Sequence, residues 1–274
     1  MALIGVFDSG VGGLSILEEA LHQLPEHDYI YLADSANAPY GEKSSEWISA
    51  RSLTLCHHLA KQGCDAIVVA CNTATAEAIA QIRAELREIP IIGVEPGIKP
   101  AAMQSQNSVV GVLATEATLN SDKFNALLAT LPAHCRIIKQ AGAGLVPLIE
   151  AGAANDSETL ELLATHLLPI QEAGADTLVL GCTHYPFLRQ SIRKLLGDSM
   201  TIIDTSEAVV RQLKRQLETR YPGKEDESPR PALGAVCFVS SKDEVKLLQM
   251  AQELINADLL GHALSAFRLT VLES

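Results

Sequence analysis

An internal repeat constrains the fold of this 274-residue chain more than any other feature. Residues 63–73 read GCDAIVVACNT and residues 174–184 read GADTLVLGCTH, so that Cys71 aligns with Cys182 and Gly, Asp and Val also coincide. Two further pairs of segments align in the same order: 90–92 (PII) with 201–203 (TII), and 4–10 (IGVFDSG) with 110–116 (VGVLATE). A repeat of this length predicts two halves built on one plan.

Apolar segments typical of buried strands alternate with longer helical patterns, of which residues 76–88 are one amphipathic example. This alternation indicates β-α units around parallel sheets, whose strands are covered on both faces and therefore lack polar alternation. We predict an α/β fold of two similar domains with mostly parallel sheets flanked by helices. The predicted strands are residues 3–7, 29–32, 66–70, 89–94, 109–113, 135–138, 177–180 and 201–203.

The segment from 221 to 234, rich in charge, Pro and Gly, is typical of an exposed linker. A strand at 235–240 and a helix at 241–256 are predicted after it, and the pattern alone leaves open which half they join. If the halves pack about a pseudo-twofold axis, a cleft between them is the expected active site.

Composition excludes several classes of protein. With 21 Lys and Arg against 33 Asp and Glu, the formal charge of −12 disfavours binding to nucleic acid or to anionic membranes. No apolar segment approaches the roughly 20 residues of a membrane span, and neither a signal peptide nor an anchor is expected. The six cysteines include no C-x-x-C pair, which favours reduced thiols in the cytoplasm.

Polar clusters follow the predicted strands at Asp8-Ser9, Cys71-Asn72-Thr73 and Cys182-Thr183-His184. In open parallel sheets, ligands bind at the carboxyl ends of the strands, close to helix N-termini. A single cysteine there is often only a small buried side chain. Cysteines at equivalent places in two halves instead suit inversion at a carbon, since one thiol can remove a proton and the other deliver one to the opposite face.

Short polar side chains near the thiols are candidates for holding a small anionic substrate. Each of them is also a candidate helix cap. These residues are Ser9, Asn72, Thr73, Thr75, Thr115, Thr118 and Thr183. Asp8, Glu150 and His184 are the titratable groups that the sequence places best to assist the thiols.

Seven strings together resemble the aspartate/glutamate racemase family, and DSGVGG, PYG and CTHYP in this order resemble its glutamate-specific members. The strings are VFDSGVGGLSIL (6–17), PYGEKS (39–44), ACNTATA (70–76), GVEPGIKPA (93–101), VGVLATEATLNS (110–121), LVPLIEAG (145–152) and LVLGCTHYPFL (178–188).

The resemblance implies a cofactor-independent racemase, without a metal, that supplies D-glutamate for peptidoglycan. Cys182 would take the α-proton from L-glutamate and Cys71 from D-glutamate. Residues 1–96 with 208–274 would form the first domain and 97–207 the second. Members are often dimers, so a homodimer is among the expectations. Asp8, Glu150 and His184 match residues that assist the thiols, and substrate-binding positions fall on Asp8, Ser9, Pro39, Tyr40, Gly41, Asn72, Thr73, Thr183 and His184.

One loop departs from the family pattern, since residues 33–38 (ADSANA) lack the arginine of the commoner form. The contacts of this loop are therefore open. The long N-terminal extension of members activated by a cell-wall precursor is also missing, so that control is not predicted.

Four other functions are alternatives to this interpretation. A nucleotide-binding oxidoreductase is suggested by Gly10-Val11-Gly12-Gly13 with Asp34 as ribose-binding acid, but Ser15 replaces the third glycine. A zinc hydrolase would use Cys71, Cys182 and His184, of which only C-x-H is local. A pyridoxal-phosphate racemase needs a lysine that no pattern singles out. A solute-binding module would bind the substrate without exchanging its proton.

Overall fold

A computed structural model describes residues 1–220, 234–260 and 264–268 of the chain. The segment predicted as a linker, 221–234, lies outside the described residues except for Gly234. The described part divides into two compact units, one built from Met1–Val94 with Ser206–Ser274 and the other from Glu95–Thr205.

The first unit holds a parallel sheet of six strands in the order β10-β9-β2-β1-β3-β4. Its strands are β1 (Leu3–Asp8), β2 (Asp28–Ala33), β3 (Ala66–Val69), β4 (Ile91–Gly93), β9 (Val236–Ser240) and β10 (Leu264–Arg268). Its α-helices are α1 (Leu14–Gln23), α2 (Ser45–Lys61), α3 (Asn72–Glu85), α10 (Ser206–Arg220) and α11 (Glu244–Leu254), with a short 3₁₀ helix at Tyr40–Glu42.

The second unit holds a parallel sheet of four strands in the order β6-β5-β7-β8. Its strands are β5 (Val109–Ala114), β6 (Arg136–Ala141), β7 (Thr177–Gly181) and β8 (Thr201–Ile203). Its helices are α4 (Ile98–Gln104), α5 (Glu116–Asn120), α6 (Asp122–Leu128), α7 (Leu145–Glu150), α8 (Ser157–Glu172) and α9 (Arg189–Leu196), with a 3₁₀ helix at Tyr185–Leu188.

The predicted α/β class, with two sheets of parallel strands flanked by helices, is confirmed. The order β2-β1-β3-β4 of the first sheet also equals the order β6-β5-β7-β8 of the second. Each segment of the sequence repeat falls on the equivalent strand: β1 with β5, β3 with β7 and β4 with β8. The edge strand β10 was not predicted, because its five residues carry no continuous apolar pattern.

The core of each unit lies between its sheet and the covering helices. One apolar cluster of the first unit joins β1 and β3 to α2 and α3, and includes Phe7, Leu59 and Ile82. In the second unit, a cluster around Val112 and Val179 packs against Phe124 of α6. Because both faces of a parallel sheet are covered, β1, β3, β5 and β7 are almost entirely buried.

The glycine and the aspartate that occur in both copies of the repeat form the same helix-to-strand turn in both units. Gly63 and Gly174 follow α2 and α8 with φ angles of +85° and +74°, which glycine adopts without the steric penalty of a Cβ. The following amides of Cys64 and Ala175 close the turns onto the carbonyls of Leu59 and Ile170. The glycine that occurs in both copies therefore serves the backbone.

Two positions after each of these glycines, Asp65 and Asp176 connect the turn to the start of the central strand by hydrogen bonds. Asp65 accepts a hydrogen bond from the Leu3 amide at 2.9 Å, whereas Asp176 accepts from the amides of Gln106 and Asn107 at 2.7 and 2.9 Å. Both aspartates donate their own amide to the neighbouring central strand, to Leu3 or Val109. Repetition at these positions follows from the fold and needs no catalytic explanation.

Gly63→Ala should lower the free energy of unfolding by about 1 kcal/mol, because alanine pays a steric penalty in the left-handed region. A Cβ at Gly63 would contact nothing within 4 Å, so the change tests backbone conformation alone. Gly63→Asn is the matched control and should lose less, because asparagine tolerates this conformation. Urea unfolding followed by the fluorescence of Trp47, the one tryptophan of the chain, measures both. Equal stability of Gly63→Ala and the unaltered protein would contradict the assignment.

Candidate active site

The first set of candidate residues lies at the carboxyl edge of the six-stranded sheet. Strand β1 runs between β2 and β3, and Phe7 pairs with Val69, so the ends of β1 and β3 are neighbours. Asp8 is the last residue of β1 and is fully buried, and its Oδ1 accepts a hydrogen bond of 2.8 Å from the Gly10 amide. The register thus places Asp8 beside the segment that leads from β3 to Cys71.

Cys71 caps the N-terminus of α3. Its Sγ accepts a hydrogen bond from the Ala74 amide at 3.4 Å, and only 5% of the residue is exposed. Because the thiol itself serves as the cap, α3 begins at Asn72, four residues earlier than the helix predicted at 76–88. The amides and the dipole at a helix N-terminus favour a thiolate over a thiol.

Asn72 and Thr73 form the first turn of α3, and Ser9 follows the end of the neighbouring strand β1; all three are buried. Among the described residues, the buried Nδ2 of Asn72 has no hydrogen-bond partner. A buried donor of this kind is destabilising unless it is paired, and an unpaired one calls for an explanation such as a ligand. Asn72 therefore points to an acceptor group bound beside Cys71.

The hydroxyl of Thr75 makes two hydrogen bonds within the first unit. Its side chain is fully buried, its hydroxyl donates to the Val69 carbonyl at 3.0 Å, and it accepts from the Val94 amide at 3.1 Å. The hydroxyl thereby joins β3 to the residue that follows β4. Its part in substrate binding stays a prediction.

Pro39, Tyr40 and Gly41 form the start of the 3₁₀ helix that precedes α2. Tyr40 is buried, and its ring belongs to the same apolar cluster as Cys71. Its hydroxyl donates to the Asp34 carboxylate at 2.6 Å. The sequence suggested Asp34 only as a ribose-binding acid, but its carboxylate pairs with Tyr40 and with Arg51 of α2.

The second set of candidates lies at the carboxyl edge of the four-stranded sheet. Ala114 at the end of β5 pairs with Gly181 at the end of β7, so the next residues, Thr115 and Cys182, begin neighbouring loops. Only 7% of Cys182 is exposed. This is the position in the second sheet that corresponds to Cys71 in the first.

A hydrogen-bonded chain runs from Cys182 through His184 to Glu150. The Cys182 Sγ lies 3.7 Å from Nδ1 of His184, and Nε2 of His184 lies 2.6 Å from Oε1 of Glu150 at the end of α7. Burial lowers the pKa of His184, but the hydrogen bonds to Cys182 and Glu150 and the charges of both groups raise it, so the pKa lies well above the ordinary histidine value of 6.5. The imidazolium form, stabilised between two acceptors, can hold or return a proton at the Cys182 sulfur.

Tyr185 is a supporting residue that the sequence prediction missed. It is completely buried, and burial followed by the charge of Cys182 raises its pKa, so the hydroxyl remains a donor. It donates to the Gly142 carbonyl at 3.2 Å, in the turn that leads from β6 towards α7 and Glu150. The CTHYP string contains Tyr185, but only the fold shows which carbonyl it reaches.

The remaining threonines of the prediction divide into two groups. Thr115 caps α5 by accepting from the Thr118 amide at 3.2 Å, and its hydroxyl also donates to that of Thr118. Both side chains therefore have a local structural role. Thr183 is 5% exposed and adjoins Cys182 directly. Their contacts with a substrate stay predictions.

The described residues contain neither a metal-binding cluster nor a membrane-spanning helix. Within either unit, no three His, Cys, Asp or Glu side chains are grouped as metal ligands would be. No described helix combines the length and the apolar character that crossing a bilayer requires.

Comparison with known proteins identifies the family of this chain. The Asp/Glu/Hydantoin racemase family matches residues 5–213. A glutamate racemase of Ralstonia nicotianae is 50% identical over 270 residues, covering 98% of this chain and 94% of that protein.

Solved structures give the same result. The Escherichia coli glutamate racemase in complex with L-glutamate and the activator UDP-MurNAc-Ala is 32% identical with a TM-score of 0.83, covering 99% of both chains. The Francisella tularensis glutamate racemase in complex with D-glutamate is 28% identical with a TM-score of 0.80, covering 98% of both chains. The chain therefore belongs to the Asp/Glu/Hydantoin racemase family and is a racemase, an enzyme of the isomerase class.

Proposed function

We propose that this racemase interconverts L- and D-glutamate without a cofactor, and that Cys71 and Cys182 are its two acid–base groups. One observation carries the proposal. The two sheets share the order of four strands, and in each sheet one cysteine follows the carboxyl end of the equivalent strand, β3 or β7. The names of the relatives supply the substrate. Solved relatives hold L-glutamate in one case and D-glutamate in another.

The proposed reaction exchanges one proton at each face of the α-carbon. For L-glutamate, the Cys182 thiolate takes the α-proton, and the electrons of the broken C–H bond remain on the carbon, delocalised into the carboxylate. The Cys71 thiol then gives its proton to the opposite face. For D-glutamate the roles are reversed. No group is oxidised or reduced, so the chemistry needs only two thiols of opposite protonation state.

The two thiols are supported by different surroundings. Cys71 has the α3 N-terminus and the Ala74 amide, and Asp8 ends the strand beside it. Cys182 has His184, which Glu150 holds through the opposite ring nitrogen. Each thiol can therefore alternate between thiolate and thiol, although the groups that stabilise its charge are not the same.

Neutral donors explain how an acidic chain could bind an anionic substrate. The Asn72 amide, the hydroxyls of Ser9, Thr73 and Thr183, and the first turn of α3 offer hydrogen bonds to a carboxylate without a fixed cation. The side chain of Asn72 is the strongest candidate, because its buried Nδ2 has no partner among the described residues.

The biological role proposed with this activity is the supply of D-glutamate for peptidoglycan in the cytoplasm. The resemblance of the sequence motifs to glutamate-specific members supports this role. A homodimer belongs to the same proposal.

Replacing either thiol should abolish racemisation. Cys71→Ser is the preferred variant in the first unit, because serine also caps helices and keeps the hydrogen bond from Ala74. We expect it and Cys182→Ser to slow racemisation roughly 100-fold to 10,000-fold, the range that a positioned acid or base supplies. Chiral chromatography and the loss of the α-proton NMR signal in heavy water measure turnover and exchange.

Cys135→Ser and Cys237→Ser are matched controls, since these half-buried thiols lie at the starts of β6 and β9, away from the carboxyl ends of the strands. They should racemise normally. Near-normal turnover of Cys71→Ser or Cys182→Ser would contradict the two-thiol mechanism. Faster turnover of aspartate than of glutamate by the unaltered protein would contradict the substrate.

Glu150→Gln should change the pH dependence. Removing this charge lowers the pKa of His184, so the imidazolium beside Cys182 is lost at a lower pH than in the unaltered protein. We therefore expect the alkaline limb of kcat/KM to move to lower pH and kcat/KM near neutrality to fall about tenfold. The loss must be equal for both enantiomers, because racemisation has an equilibrium constant of unity.

The pH profile of racemisation and the ¹⁵N NMR titration of His184 measure the two effects separately. Glu158→Gln, an exposed position on α8, is the control and should alter neither. An unchanged titration of His184 in Glu150→Gln would show that the carboxylate does not hold the imidazolium.

A further inference from the structure

A buried carboxylate at Asp34 organises the segment between β2 and α2. Asp34 is completely buried, and Arg51 of α2 grips it with two hydrogen bonds, from Nε to Oδ2 at 2.9 Å and from Nη2 to Oδ1 at 2.7 Å. The Tyr40 hydroxyl donates to Oδ2 at 2.6 Å, and Asn37 Nδ2 lies 3.1 Å from both oxygens. The carboxylate oxygens are thus saturated by three side chains.

The arginine of this network comes from α2, because the loop at 33–38 contains none. Burying an unpaired carboxylate is strongly unfavourable, and the two-pronged contact of a guanidinium is the geometry that compensates it best. Arg51 is itself mostly buried, with a side-chain exposure of 14%. The pair is therefore a fixed structural element.

The hydroxyl of Tyr40 is committed to this network. Burial and the charge of Asp34 raise the pKa of Tyr40, so the hydroxyl stays protonated and donates to the carboxylate. Its hydrogen is thus not available to a substrate. What Tyr40 and Gly41 can offer a substrate is the ring and the backbone, and the value of both depends on where they are held.

The place where they are held adjoins Cys71. The Tyr40–Glu42 helix contacts α3, and the Tyr40 ring shares an apolar cluster with Cys71 and Ala74. The Tyr40 ring also packs against Trp47 in an edge-to-face arrangement, with centroids 5.3 Å apart at 86°. A shift of Tyr40 would thus change both the wall beside Cys71 and the environment of Trp47.

We propose that Asp34 and Arg51 are positioning residues of the reaction, which fix Tyr40 and Gly41 beside Cys71 and thereby set the affinity for the substrate. The proposal rests on the proposed glutamate racemisation. Neither residue touches the reacting atoms, so their loss should act on binding more than on the chemical step.

The kinetic test compares Arg51→Met, Arg51→Lys and Tyr40→Phe with the unaltered protein. Arg51→Met should raise KM about tenfold for both enantiomers and change kcat less than about threefold, the pattern of lost uniform binding. Arg51→Lys keeps the charge without the two-pronged grip and should recover part of the affinity. If Arg51 acts through Tyr40, adding Tyr40→Phe to Arg51→Met should raise KM less than the two single effects multiplied together.

Two further variants separate positioning from stability. Arg83→Met removes an arginine of the same unit that donates to the Ile91 carbonyl, and should leave KM unchanged. Asp34→Asn combined with Arg51→Gln removes both buried charges, so it leaves no unpaired ion and keeps the test valid if Arg51→Met fails to fold. It should raise KM as Arg51→Met does.

Trp47 provides a readout that needs no substrate. Because it is the one tryptophan of the chain and packs on Tyr40, acrylamide quenching of its fluorescence reports on the Tyr40 segment. Quenching should increase in the Arg51 variants and stay constant in Arg83→Met. Unchanged quenching together with an unchanged KM would overturn the positioning role. Failure of the unaltered protein to racemise glutamate would instead overturn the proposed function, while the quenching result would still stand.

Discussion

The parallel direction of every described strand pair is the constraint on which the rest of this structure depends. In a parallel sheet all strands end at one edge, so the chain must place the residues after β1 and β3, or after β5 and β7, next to one another. The same edge is where α3 begins, which brings amide groups and a helix dipole to Cys71. The chemistry of each unit therefore has a location before any catalytic side chain is considered.

Within this constraint, strand-level features could be predicted from sequence and long-range polar contacts could not. Continuous apolar patterns mark most of the strands, so nine of the ten described strands were predicted to within a few residues. The start of α3 was predicted too late, because a cysteine is an unusual helix cap and the pattern begins only with the alanines that follow. The repeat identified Cys71 and Cys182 as a pair, since equivalent strands end in equivalent places.

The polar partners of the site depend on elements far apart in the chain. The contact between His184 and Glu150 joins residues 34 positions apart, so the sequence named both residues without predicting that they are in contact. No pattern in the sequence predicts the ion pair between Arg51 and Asp34, because the side of α2 that faces the sheet becomes known only when the helix is packed against it. Thr75 shows the same limit, since its position did not reveal that its hydroxyl joins β3 to the residue after β4, and its contact with a substrate stays a prediction.

The unlike surroundings of the two thiols have a consequence for molecules that mimic the substrate. Cys71 is served by the end of a helix, whereas Cys182 is served by a titratable ring and a carboxylate. Under the proposed two-thiol mechanism, mirror-image substrates would lose their protons to two thiols with unlike surroundings. A compound designed to bind the imidazolium beside Cys182 should gain little affinity from the surroundings of Cys71. An inhibitor directed at Cys71 would therefore need a different design, not merely the mirror image of the first.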